Sequence, residues 1–318
     1  MLGLFFNGKE LSVIERPLPK PARDEALIKT IYAGICNTDI EILKGYMGFK
    51  GIIGHEFVGE VQEANDLNLI GKRVVGEINI ACGECEFCMQ GLGKHCPNRS
   101  VFGIQDKDGA IAEYLTLPLQ NLHVIPTNIS ELQAVFIEPL AAACEIVEQI
   151  QILPEYNVLV IGDGKLGLLI ARVLRLYTKN LQVIGKHEGK LNLLKNQDIS
   201  TILLHDFKED RHSFHIVVEA TGSWEGWEMA RRLVRPRGFI VLKSTYVGNK
   251  PFNPASLVID EVTVVGSRCG PFKTALYLLH KNTINPLDMI TKVFPFKQWN
   301  NAFQLAQEPE SLKVVLKF

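Results

Sequence analysis

Four cysteines, Cys82-x-x-Cys85-x-x-Cys88-x7-Cys96, offer four soft thiolates at spacings that tetrahedral zinc accepts. The nearest rival is the ferredoxin-type iron–sulfur run, which also ends in Cys-Pro, as Cys96-Pro97 does here. That run closes with a gap of about three residues, whereas seven separate Cys88 from Cys96, and the longer gap favours zinc. Four thiolates leave no open coordination position, so such a site orders the lobe from Ala81 to Asn98 and does no chemistry. Its apparent binding energy would be about 10–16 kcal/mol if it resembles zinc-finger sites.

A second set of ligand-type residues is dispersed. Cys36 stands in Gly34-Ile35-Cys36-Asn37-Thr38-Asp39, His55 and Glu56 in Gly54-His55-Glu56, and Glu138 in the apolar run Phe136-Ile137-Glu138-Pro139-Leu140-Ala141. Singly, Cys36 reads as buried packing and His55 as a satisfied core histidine. A Glu in apolar surroundings needs a partner, because an unpaired buried charge costs several kcal/mol, and a metal provides one. Cys, His and Glu together make a three-ligand set with a fourth position left for water or substrate, as catalytic zinc requires.

Gly162-Asp163-Gly164-Lys165-Leu166-Gly167 is a G-x-G-x-x-G that follows an apolar β-run (Asn157–Ile161) and opens a helical pattern. In that context Gly162 permits the tight turn, Gly164 lets the backbone approach a pyrophosphate, and Gly167 allows close helix–sheet packing. The helix N-terminus supplies free amides and a favourable dipole for the phosphates. About twenty residues on, an acid at the end of the second strand usually grips the ribose of NAD. This chain reads Gly185-Lys186-His187-Glu188 there. Cations in place of the acid favour a 2′-phosphate, so NADP is expected over NAD; the opposing reading has Glu188 serving the ribose slightly late.

The elements that must position these residues change grammar along the chain. Short strands and turns fill the first ~125 residues: Leu27–Ala33, Phe57–Gln62, Lys72–Ile78 and Ala112–Thr116. Leu132–Ile150 is helical in its spacing, and the pattern predicts two pieces broken at Pro139. From Asn157 strands and helices alternate, which predicts a parallel, doubly wound sheet. A helix over Phe272–His280, an amphipathic helix around Ala302 and a strand over Lys313–Phe318 complete the pattern. With 318 residues, 47% of them hydrophobic, about two domains with proper cores are expected. A net charge of -1 gives no electrostatic case for nucleic acid. No apolar run reaches the ~18 residues that span a bilayer, and the start lacks the basic residues of a secretory signal. Four of the seven cysteines are bunched at zinc spacing, and Cys36, Cys144 and Cys269 are scattered, which is thiol usage of a reducing compartment. A cytoplasmic location is expected.

Cys-x-Thr-Asp, Gly-His-Glu, the four-cysteine lobe, Ile-Glu-Pro-Leu and the glycine motif, in that order, resemble the zinc-dependent medium-chain dehydrogenase/reductase family over essentially the whole chain. The Glu-Pro-Leu form is most similar to its polyol, threonine and secondary-alcohol dehydrogenase branch. The resemblance implies a GroES-like β-rich catalytic domain over 1–128, a Rossmann dinucleotide-binding domain over 129–270, and a segment over 271–318 that returns to the first. The cleft between domains would be the active site. Cys36, His55 and Glu138 would bind catalytic zinc, with Glu56 a ligand or close neighbour; Asp39 would orient His55, and Thr38 would hydrogen-bond the substrate oxygen. Thr221 and Gly222 would lie against the nicotinamide, and Arg268 near the pyrophosphate. Glu41 stands where the family often has a relay histidine. The implied activity is hydride transfer between a small alcohol and NAD(P), with one catalytic and one structural zinc, in a homodimer or homotetramer. Other readings are a dinucleotide-binding regulator with a silent zinc site, or a zinc enzyme that uses bound cofactor without net redox.

Overall fold

The computed structural model describes residues 1–244 and 252–318, and the chain forms two compact units, Met1–Glu138 with Phe272–Phe318 and Pro139–Pro271. The sequence reading divided the chain at 128–129. The short helix Glu131–Ala134 packs against strands Glu25–Ile35 and Glu56–Ala64, which carries the first unit on to Glu138.

The first unit is built on a sheet in the order Leu122–Val124, Arg73–Gly76, Glu56–Ala64, Glu25–Ile35, Lys313–Lys317, Ile290–Pro295, with Tyr114–Pro118 also paired to Glu25–Ile35. The late strand Lys313–Lys317 runs antiparallel to Glu25–Ile35, with Val314 opposite Ile35 and Val315 opposite Gly34. On its other side Glu25–Ile35 pairs with Glu56–Ala64, and Gly34 faces Glu56. Leu4, Phe6, Ile35, Ile53, Phe294, Phe303, Val314 and Leu316 share one apolar core, so residues distant in sequence are fixed together beneath this sheet edge.

The second unit holds six parallel strands in the order Ser200–Leu203, Leu181–Gly185, Val158–Ile161, Phe214–Glu219, Val234–Leu242, Thr263–Gly266. Numbered along the chain that order is 3-2-1-4-5-6, the doubly wound arrangement of dinucleotide-binding folds. Every residue of Val158–Ile161 is buried, as a strand covered on both faces requires. Helices Lys165–Leu174, Glu188–Lys195 and Trp224–Leu233 supply the crossovers.

The helical break falls elsewhere than expected. Glu131–Ala134 and Ile137–Gln149 are separate helices, and Pro139 lies in the first turn of the second. Amides of a first turn have no partner within the helix, so proline costs nothing there. Strands Leu2–Phe6, Leu11–Glu15 and Ile290–Pro295 and the helix Asn37–Leu43 were not foreseen. That helix is only seven residues long, too short for periodicity to show.

Candidate metal and dinucleotide sites

Strand Glu25–Ile35 ends at Cys36, which caps the N-terminus of helix Asn37–Leu43. Asp39, at the third helical position, turns back so that its Oδ2 accepts a hydrogen bond from the Cys36 amide at 2.8 Å. Its other oxygen stands 3.4 Å from His55 Nδ1, and both groups are buried. With Nδ1 facing Asp39, His55 keeps Nε2 for a ligand. Burial alone would push the His55 imidazolium down, but the Asp39 carboxylate and the Cys36 thiol outweigh it and hold its pKa well above the usual histidine range.

Cys36, His55 and Glu56 bring one ligand atom each within 4.8 Å of one another. Asp39 Oδ1, His55 Nδ1 and Glu56 Oε1 are buried without a hydrogen-bond partner among the described residues. Thiol, imidazole and carboxylate gathered with unsatisfied polar atoms form a donor set that suits zinc. Thr38 places its hydroxyl 3.8 Å from Cys36 Sγ. Glu138 is half-buried and near enough to act on the same lysine as Glu56, but lies outside this tight trio. Glu41 turns toward Lys44, at 2.8 Å, on a partly exposed flank.

Sequence reasoning missed Lys313. Its ammonium is fully buried, paired with Glu56 Oε2 and 5.7 Å from the centre of the Phe136 ring. Burial would push its pKa down, yet Glu56, Cys36 and Glu138 together raise it. The pair spans a strand: Lys313 and Glu56 lie on the two neighbours of Glu25–Ile35, and Gly34 stands opposite Glu56 on one side and Val315, two residues on from Lys313, on the other. A Cβ at Gly34 would collide with Glu56 Oε2 and come 2.8 Å from Val135 Cγ1, so only glycine leaves the opening through which the two charges meet. In sequence, a lysine at the start of a β-run resembles any solvated edge residue.

In the cysteine lobe, Sγ separations are 3.4 Å (Cys85–Cys88), 3.5 Å (Cys96–Cys82), 3.7 Å (Cys85–Cys96) and 3.9 Å (Cys82–Cys88). Sulfurs about 2.3 Å from one zinc in a tetrahedron stand about 3.8 Å apart, so the lobe already has the shape of the site. All four are free thiols, far beyond disulfide length. Backbone amides of Glu84 and Cys85, with help from Cys96, lower the Cys82 pKa to about 6. Desolvation and the neighbouring thiols push Cys88 up to about 12. Four thiolates this close need a cation to ionise together.

In the second unit Gly162 adopts φ +120°, and a Cβ there would lie 2.7 Å from the Ala220 carbonyl oxygen. The turn thus presses against the segment that leads into Thr221 and Gly222. Space above Gly164 is open to 4 Å, the room a pyrophosphate needs over the start of helix Lys165–Leu174. Lys165 and Leu166 form the first turn of that helix, and Gly167 packs under Gly162. Thr221 donates from its amide and its hydroxyl to the buried Glu219, at 2.6 and 2.5 Å, while the Gly222 amide donates to Ser244 Oγ at 2.8 Å. Arg268 follows strand Thr263–Gly266, and its carbonyl accepts from Lys243 Nζ at 3.0 Å. Lys186 and His187 stand at the end of the second strand. Both of their amides, and the His187 ring, are held by Asp163, a residue the sequence reading left as the filler of the glycine motif.

A family profile described as the alcohol dehydrogenase GroES-like domain matches residues 22–127. Sorbitol dehydrogenase of Halalkalibacterium halodurans is 27% identical over 96% of this chain and 95% of its own length. Two solved structures overlay with a TM-score of 0.91 and cover 100% of this chain and 99% of their own. One is a zinc-binding dehydrogenase from Sinorhizobium meliloti 1021 bound to NADP, 25% identical. The other is an alcohol dehydrogenase from Escherichia coli CFT073 with NADH, 27% identical. These findings support the zinc-dependent medium-chain dehydrogenase/reductase family for this chain. The α/β architecture of a Rossmann sheet plus a GroES-like domain is that of the family, and the chain is an enzyme, an alcohol oxidoreductase. No helix among the described residues is long and apolar enough to cross a membrane.

Proposed function

We propose that this enzyme transfers hydride reversibly between a small polyol, secondary alcohol or amino alcohol and NAD(P), with one zinc at the Cys36 site and another in the cysteine lobe. The observation that carries the reading is the convergence of Cys36, His55 and Glu56 within 4.8 Å, with orphaned polar atoms among them. Cys36 and His55 are the first two ligands. Glu138 would complete the set, with Glu56, one oxygen of which is committed to Lys313, as a reserve ligand. A zinc ion held there would supply Lewis acidity, lowering the pKa of an alcohol and favouring the negative oxygen from which hydride leaves. Asp39 fixes the His55 ring and tautomer, as carboxylates behind metal-bound histidines do. Thr38 holds the substrate oxygen and passes its proton outward, with Glu41 on the solvent side of the same helix. Buried Lys313 balances the negative charge of the ligand set, so that the site is not over-charged.

Gly162, Gly164 and Gly167 cradle the dinucleotide phosphates at the N-terminus of helix Lys165–Leu174, Thr221 and Gly222 border the nicotinamide, and Arg268 approaches the pyrophosphate. The expectation of NADP rests on Lys186 and His187; both are tied to Asp163, and that carboxylate weighs the other way. A homodimer or homotetramer belongs to this reading: strand Thr263–Gly266 pairs on one side only among the described residues, leaving a sheet edge for a second copy. A cytoplasmic location also belongs to it, on the strength of the scattered thiols.

The test is production of NAD(P)H by metal-analysed protein with a panel of polyols, secondary alcohols and amino alcohols. At least one should turn over, and turnover should disappear with Cys36→Ser. A folded, zinc-loaded protein that consumes none of them and binds no dinucleotide would defeat the proposal.

A further inference from the structure

Strands Val158–Ile161 and Leu181–Gly185 are neighbours in register, with Ile161 opposite Ile184. The glycine turn after the first strand therefore lies beside the end of the second. In NAD-binding folds an acid rooted at that second strand end accepts the adenosine ribose hydroxyls. Here the strand ends at Gly185, and the space its side chain would fill is occupied. A Cβ at Gly185 would meet Asp163 Cβ and Oδ2 at 2.5 Å and Cγ at 2.6 Å. The strand-end carboxylate has not been lost. It enters from the glycine turn, and glycine at 185 makes room for it.

Three donors converge on one of its oxygens. Asp163 Oδ2 accepts from the Lys186 amide at 2.7 Å, the His187 amide at 2.6 Å and His187 Nδ1 at 3.0 Å. Among the described residues no donor reaches Oδ1. We propose that Asp163 reads the adenosine ribose of the cofactor through Oδ1 and makes the enzyme favour NAD over NADP, an inference that rests on the dinucleotide reading above.

The charges decide the direction. Lys186 is exposed, where an ammonium gains little from an ion pair and is screened by water. The Asp163 side chain is only 9% exposed, so its charge acts through a lower dielectric and outweighs the solvated lysine. A ribose hydroxyl donates to that oxygen in a charge-assisted hydrogen bond. A phosphate at the same place brings about 1.5 to 2 negative charges against it. His187, spent on Oδ2 through Nδ1, orients the carboxylate.

The alternative is that Asp163 only clamps the turn, and Asp163→Asn separates the two because an amide oxygen still accepts from the Lys186 and His187 amides. Calorimetric titration of the zinc-loaded protein with NADH and with NADPH, beside thermal melting, reads the difference without turnover. The unmodified protein should bind NADH about tenfold tighter than NADPH, and Asp163→Asn should weaken NADH about tenfold while leaving NADPH equal or tighter. A clamp would move both affinities by the same factor, which overturns the assignment, as would a preference for NADPH in the unmodified protein. Should the variant fail to fold, titration of the unmodified protein with 5′-AMP and 2′,5′-ADP decides: weaker binding of 2′,5′-ADP supports Asp163, and equal or tighter binding overturns it. If the folded protein binds none of these molecules, the dinucleotide reading falls with it.

Discussion

Two ligand clusters in one structural unit are built in opposite ways. The cysteine lobe takes all four thiols from Cys82 to Cys96, and three of them are partly or fully exposed. The Cys36 cluster draws on three strands and a helix start, is largely buried, and is balanced by a lysine 257 residues from its carboxylate partner. The first is a local staple: its geometry follows from spacing, and its four donors leave nothing for a substrate. The second exists only when the sheet is closed, and it gathers three donors of mixed type, one fewer than tetrahedral zinc takes. Stability should depend on one cluster, chemistry on the other.

The largest expected effect tests that division. Cys36→Ser should lower turnover by about 10²–10³ or more and barely move the melting temperature, whereas Cys85→Ser should lower Tm by more than about 5 °C. Metal analysis should give two zinc ions per active chain. One zinc in fully active protein, or equal thermal effects from the two substitutions, would erase the contrast.

Lys313→Met sharpens it from the buried side. Removing the cation leaves Glu56 uncompensated in a closed space, and breaking a buried pair by one partner costs about 3–5 kcal/mol. Urea denaturation of chelator-treated protein should show that loss. Glu56→Gln added to Lys313→Met should recover much of it, because the stranded charge is gone. A single variant as stable as the parent would mean that the pair contributes little.

The smallest effect concerns the thiols once zinc is removed. A thiolate forms above its pKa, so at pH 7 Cys82, with a pKa lowered to about 6, should be mostly ionised, and Cys88, raised to about 12, should stay protonated. Brief iodoacetamide labelling followed by peptide mass mapping should mark Cys82 first and Cys88 last, with Cys82 labelling falling off below about pH 6. Zinc should suppress both. Equal labelling of the two at pH 7 would show that the lobe does not keep its shape without metal.

Much of this was legible in the residues, for reasons that differ by region. The cysteine lobe and the glycine turn are contiguous, so spacing alone carries their chemistry. The alternation after Asn157 shows the parallel sheet because fully buried strands read as continuous apolar runs. Cys36, His55 and Glu56 could be named from their motifs, but their convergence depends on the pairing of strand Glu25–Ile35 with Glu56–Ala64, which no local pattern prints. Lys313 and Asp163 were hidden for the same cause. Each acts on a neighbour across a sheet, through the gap that a glycine leaves at 34 or 185, and a gap has no sequence signature beyond the glycine itself.

The strand that carries Lys313 also sets a timetable. At about 5–20 residues per second, the ribosome needs roughly 10–50 s to travel the 257 residues from Glu56 to Lys313. From Cys96 onward, most of that interval, the cysteine lobe has all four of its thiols, while the Cys36 cluster lacks both its counter-charge and the strand that pairs beside it. On the proposed two-zinc reading, the structural ion would find its ligands during synthesis and the reactive one only after it.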